Sequence, residues 1–284
     1  MDQSANNAQP QADAFKAKDG LTIAFRFWRP TAQARGIVVI VPGFNAHSGY
    51  YLWVAEQLVA ARLAAYAIDL RGRGKSGGER FYVDDFSDYV SDITAFVDLV
   101  KSRELGLPIF LLGHSAGGVA ACLYALDHQK VLKGLICESF AYELPAPGIA
   151  LSAIKGLSHV APHAHVLQLK NQDFSRDPKV VQAMNEDPLI AQESQPAETL
   201  AALIRADELL KQSFQRFTLP VLILHGTADK AAKASGSQHF YEMAGSTDKT
   251  LKLYEGGFHD LLNDVGKKEV ISDIQRWIDA HLTP

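Results

Sequence analysis

The chain has 284 residues, of which 47% are hydrophobic and 21% charged, and carries a formal charge of −4. That length is enough for one large α/β domain with an insertion or for two small domains, and the composition is an ordinary globular balance. A mildly acidic chain without lysine or arginine runs offers no broad basic surface, which argues against nucleic acid and anionic membranes as partners, and no apolar run reaches the roughly 18 residues of a membrane span.

Residues 1–14 are polar and are expected to be disordered. They carry neither the basic nor the apolar region of a secretory signal, so the expected location is cytoplasmic. The two cysteines, Cys122 and Cys137, fall in apolar runs and read as buried free thiols rather than a disulfide framework. Leu21 to Trp28 alternates apolar and polar residues after Asp19-Gly20, the pattern of a hairpin's second strand.

Gly36 to Val41 is a continuous apolar run, as expected of a strand buried on both faces. Similar runs recur at Ala64–Ile68, Ile109–Leu112, Leu135–Cys137, Val221–Leu224 and Leu251–Tyr254. Helical patterns lie between most of them, the clearest at Phe86, Val90, Ile93, Phe96, Val97 and Val100. This alternation predicts a mostly parallel sheet with helices on both faces. It breaks once, between Cys137 and Val221, where a helix-prone stretch with several prolines replaces the strands. A structureless loop of that length is uncommon. A helical insertion over the sheet is the expectation, with residues 15–143 and 213–284 as the core and 144–212 as a cap.

Gly113-His114-Ser115-Ala116-Gly117 sits where a strand run turns into a helical pattern. That is the context in which a Gly-x-Ser-x-Gly serine stands exposed on a strained turn, so Ser115 is the expected nucleophile. A serine hydroxyl needs a base within hydrogen-bond reach. Of the late histidines, His239 reads as helical and His281 lies at the C-terminus, whereas His259 follows the last strand run on a loop loosened by Gly256 and Gly257. The acid is expected after Val221–Leu224, where Asp229 is the carboxylate of the loop. Glu138 is a rival at the end of the preceding strand, and Asp260 is discounted because neighbouring side chains diverge. Two backbone N–H groups are expected to form an oxyanion hole, one from Ala116 and one from Phe44 in Pro42-Gly43-Phe44.

These motifs, with Asn45–Tyr51, Asp69–Gly78, Glu186–Leu189 and His225–Lys230, resemble the monoacylglycerol lipase and lysophospholipase group of α/β-hydrolases, the serine-aminopeptidase-like family. The resemblance implies an eight-stranded, mostly parallel α/β-hydrolase sheet with a helical cap inserted after strand 6. It also implies hydrolysis of single-chain esters by Ser115, Asp229 and His259, with Phe44 and Ala116 as oxyanion donors. One departure is Pro42-Gly43 where the family has His-Gly. Asp69 to Ser76 lacks the spacing of a phosphate loop and reads as a structural turn.

The expected activity is that of a carboxylic ester hydrolase working through an acyl-enzyme, with no cofactor and no metal. Acyltransferase, perhydrolase, amidase or a non-catalytic binding protein of the same fold are the alternatives. Leu144, Leu151, Ile154, Leu157, Val160, Leu167 and Leu169 are candidates for an acyl pocket. Acyl length, alcohol part and oligomeric state are left open.

Overall fold

A computed structural model describes residues 9–282. The chain opens on an antiparallel hairpin of β1 (Gln11–Lys16) and β2 (Thr22–Trp28). This corrects the expected disorder for residues 11–14; residues 1–8 of that segment lie outside the described residues. Polarity misleads here because an edge strand is held by backbone pairing and needs few apolar side chains. Phe15 stacks on Phe96 with ring centroids 5.8 Å apart, and Asp13 pairs with Arg103.

Strand and helix then alternate through β3 (Gly36–Val41), α1 (Leu52–Ala60), β4 (Leu63–Ile68), α2 (Phe86–Arg103), β5 (Ile109–His114), α3 (Ala116–His128) and β6 (Gly134–Glu138). Every residue of these four strands is buried, which is why their sequences are apolar throughout. The chain next leaves the sheet through α4 (Gly148–Ser158), β7 (His165–Leu167), α5 (Pro178–Glu186), β8 (Gln195–Pro196) and α6 (Ala197–Ser213). It returns as β9 (Val221–Gly226), α7 (Ala234–Met243), β10 (Lys249–Tyr254) and α8 (Lys267–Leu282).

The eight-stranded sheet has the order β1-β2-β4-β3-β5-β6-β9-β10, with β3, β4, β5, β6, β9 and β10 mutually parallel. This is the α/β-hydrolase fold. Strand alternation divides the core in two. Ile37, Val39 and Val41 face α2, α3, α6 and α7, whereas Val38 and Ile40 face α1 and α8. Because the central strands are parallel, the loops after β3, β5, β9 and β10 emerge at one edge of the sheet, where open α/β sheets place their ligands.

The excursion between β6 and β9 is mainly helical and holds one short antiparallel ribbon, β7 with β8. Leu200, Leu203, Ala206 and Leu210 of α6 belong to the larger apolar core, so this helix joins the excursion to the sheet. Among the described residues, no helix is long and apolar enough to cross a membrane.

The Asp69–Ser76 segment is a tight turn. Asp69 accepts from the Ser48 and Lys75 N–H groups at 2.7 and 2.8 Å, and the Ser76 hydroxyl donates to the Asp69 carbonyl at 2.6 Å.

Candidate active site

Ser115 sits between β5 and α3 with φ 54° and ψ −125°, a left-handed conformation that costs a non-glycine residue on the order of 1–3 kcal/mol. Close packing of the surrounding backbone holds it there. A Cβ on Gly117 would lie 2.2 Å from the Pro42 carbonyl oxygen, and one on Gly43 would lie 2.6 Å from the Ser115 Cβ. Both positions therefore require glycine, which lets the loop after β3 lie directly against the Ser115 turn.

The Ser115 hydroxyl lies 2.8 Å from His259 Nε2, and His259 Nδ1 lies 2.7 Å from Asp229 Oδ2. Serine, imidazole and carboxylate thus form one hydrogen-bonded line built from three separate loops. Asp229 Oδ1 accepts from the backbone N–H groups of Ala231 and Ala232 at 2.7 and 3.0 Å. Burial works against ionisation of Asp229, but the His259 charge and the hydrogen bonds from His225 and His259 outweigh it and hold the carboxyl well below the usual carboxylate range. An ionised Asp229 accepts the Nδ1 proton, which leaves Nε2 free to accept from the serine hydroxyl. This arrangement can take a proton from an attacking hydroxyl and return it to a leaving group.

Ser115, Ala116 and Phe44 line one cavity of about 270 Å³. Its walls are mostly aliphatic: Leu144, Leu151, Ile154, Leu167 and Leu169 come from the excursion, and Leu200 and Leu203 from α6. Leu157 and Val160, the other two apolar candidates, are not among its walls, and Val160 is 80% exposed. Lys170, Asp173 and Lys230 add polar groups.

Residues 32–266 match the family model described as serine aminopeptidase, S33. The chain belongs to this family. It is 32% identical over 272 residues to the monoacylglycerol lipase of Mycolicibacterium smegmatis, covering 95% of this chain and 97% of that one. It is also 32% identical over 265 residues to the human monoglyceride lipase, covering 92% and 88% of the two chains. The crystal structure of a soluble variant of the Saccharomyces cerevisiae monoglyceride lipase shares the fold with a TM-score of 0.87 at 22% identity, covering 99% of this chain and 98% of that one. The monoacylglycerol lipase of Paleococcus ferrophilus superposes with a TM-score of 0.80 at 27% identity, covering 96% and 99%. This S33-family chain is a serine-dependent carboxylic ester hydrolase.

The other sequence candidates lie elsewhere. His281 contacts Asp248, and the His239 ring stacks on Tyr142. Glu138 instead accepts from the Leu261 N–H at 2.7 Å and lies 3.8 Å from His114. Sequence reading placed His225 in the His225–Lys230 stretch but gave it no role. Its Nε2 lies 3.0 Å from Asp229 Oδ2, and its Nδ1 is 2.7 Å from the Ser237 hydroxyl. Sequence reading missed Phe174, which meets the His259 ring edge-on at 5.0 Å.

His114, Glu138 and Asp260 form a buried cluster whose polar atoms lie within 4.8 Å of one another. One imidazole and two carboxylates is a donor set a divalent metal can use, but both Asp260 oxygens already accept from Asn263 and one Glu138 oxygen from Leu261. Protonation accounts for the cluster without an ion. Burial pushes His114 down to about 3; burial, with the Asp260 charge beside it, raises Glu138; and burial, helped by the Asp264 charge, raises Asp260 to about 6 against the opposing pull of Asn263 and His259. A carboxyl raised on folding stabilises the fold fully below its unfolded value and loses that contribution as pH rises through its folded value. Asp260→Asn titrates in neither state. Its stability relative to the parent is therefore expected to rise between pH 4 and pH 8, by roughly 1–3 kcal/mol, on top of a constant offset for the lost Asn263 contact. Denaturant melts at both pH values check this; a flat or falling difference contradicts it.

Proposed function

We propose that the chain hydrolyses monoacylglycerols and similar single-chain esters through an acyl-enzyme on Ser115. Ser115 Oγ attacks the ester carbonyl carbon while its proton passes to His259 Nε2. The Phe44 and Ala116 N–H groups take up the charge on the carbonyl oxygen. The tetrahedral intermediate collapses, the alcohol leaves with the proton from His259, and the acyl group stays on Ser115. Water then repeats the cycle: His259 takes its proton, the hydroxyl adds to the acyl carbon, and Ser115 leaves reprotonated with the free acid as product. Asp229 holds the imidazole tautomer and stabilises the imidazolium. Residues 144–212 act as a lid that supplies most of the acyl pocket.

The observation that carries this reading is the aliphatic cavity opening on Ser115. It suits one acyl chain, and the names of the curated relatives point the same way. Burying each methylene contributes about 0.8 kcal/mol, which is roughly fourfold in kcat/KM per carbon. A series of 1-monoacylglycerols from four to eighteen carbons is expected to climb at about that slope and then level off once the cavity is full. A lysophosphatidylcholine series reports on the alcohol part. Turnover independent of chain length, or none at any length, contradicts the proposal.

A further inference from the structure

The oxyanion loop is bolted to the cap by a buried charge. Asn45, directly after Phe44, has φ 53°, a left-handed conformation for a non-glycine residue. Its N–H donates to Glu193 Oε1 at 3.0 Å across 148 residues of chain. Glu193 is fully buried in the segment just before β8, and its Oε1 also accepts from Gln195 Nε2 at 2.9 Å and from Arg73 Nη1. The same Arg73 lays its guanidinium over the Phe44 ring, 4.0 Å from the centroid, and donates to Gln195 Oε1 at 2.9 Å.

Glu193 thus holds the peptide on the C-terminal side of Phe44, and Arg73 holds the Phe44 side chain. With both anchored, the backbone torsions of Phe44 have little freedom, and so the direction of its own N–H is set. A carboxylate with three donors has the rigidity this needs, and burial keeps water from competing for them. An oxyanion donor acts only if it is already aimed where charge develops.

We infer that Glu193, with Arg73, is a positioning residue that aims the Phe44 N–H, so that the cap helps to build the oxyanion hole as well as the acyl pocket. This rests on the proposed role of Phe44. Displacing a reacting group or donor by about 1 Å costs on the order of 100-fold in rate.

The test uses three proteins: the parent, Glu193→Asp, and the double variant Arg73→Met with Glu193→Leu. Glu193→Asp keeps the charge opposite Arg73 but withdraws it from Asn45. The double variant removes both charges together, because removing one alone leaves its partner buried and uncompensated. Each is assayed for kcat and KM, for inhibition by an alkylboronic acid, and for binding of a 1-alkylglycerol ether. The boronic acid forms a bond to Ser115 Oγ and becomes a tetrahedral anion, so it reads the oxyanion hole; the ether reads only the pocket.

The expected result is a 10- to 100-fold fall in kcat for Glu193→Asp, with KM within about threefold. Boronate affinity is expected to fall by the same factor as kcat/KM, with ether affinity unchanged. Unchanged kcat in either folded variant overturns the inference, as does equal weakening of boronate and ether, which makes Glu193 a pocket residue only. Should the double variant fail to fold, Glu193→Asp alone decides. If the role of Phe44 itself is wrong, the crystal structure of the parent's boronate adduct shows no boronate oxygen within hydrogen-bond distance of the Phe44 N–H. If only Glu193 is misassigned, the parent adduct shows that hydrogen bond and the variants keep both it and the boronate affinity.

Discussion

Ser115→Ala is expected to lower kcat for ester hydrolysis by about 10⁵- to 10⁶-fold while leaving the fold intact. In the proposed mechanism the Oγ is the atom that bonds to the acyl carbon, and it lies 2.8 Å from His259 Nε2. The substitution leaves His259, Asp229 and the backbone donors in place, so a residual acceleration over water of about 10³–10⁴ is expected from charge stabilisation and binding. The cavity is unaltered, so a 1-alkylglycerol ether is expected to bind the variant as it binds the parent. Steady-state turnover of a p-nitrophenyl ester, together with loss of labelling by a fluorophosphonate, checks both parts. A variant that keeps even a tenth of the parent rate places the nucleophile elsewhere.

Asp229→Asn is expected to cost about 10⁴-fold in kcat, a loss far greater than removal of one charge from an exposed pair. The reason lies in the other oxygen. Two backbone N–H groups, from Ala231 and Ala232, donate to Asp229 Oδ1. An asparagine at this position is therefore held with its carbonyl oxygen on those donors, and its NH₂ occupies the place of Oδ2. That group donates to His259 Nδ1, which then cannot carry the proton. The proton moves to Nε2, and the base faces Ser115 with a donor instead of a lone pair. Fluorophosphonate labelling is expected to slow in parallel. A loss of less than tenfold contradicts this account.

Both predictions concern residues that were legible in the chain. Ser115 is marked by neighbours that must be glycine. A Cβ on Gly117 would lie 2.2 Å from the Pro42 carbonyl oxygen and one on Gly43 2.6 Å from the Ser115 Cβ, so no side chain fits at either position. Asp229 and His259 were placed by counting loops after strand runs: β9 is buried along its whole length and reads as an apolar run, and β10, though only partly buried, keeps Leu251 and Leu253 in alternation. The same rule missed β1, whose residues Gln11 to Asp13 are paired through backbone at the sheet edge, beyond the reach of apolar counting.

The sequence by itself determined the order of the core strands and helices from β2 on and the glycine-flanked Ser115 turn, because these depend on local periodicity, short-range sterics and loop position. It also gave a reading of the two cysteines as buried thiols, in keeping with the structure, where they are free and 3.5 Å apart. Only the tertiary structure decided what supports the site. No motif gives the contacts of His225 with Asp229, Phe174 with His259, or Glu193 with Asn45. Glu193 is an ordinary glutamate in a polar stretch until the excursion after β6 folds back and places it against a loop 148 residues earlier. Contacts of that kind depend on which surfaces meet, and no local pattern records them. The turn that carries the proposed nucleophile is thus written into a few adjacent residues, whereas the contacts around it exist only once the excursion after β6 is in place.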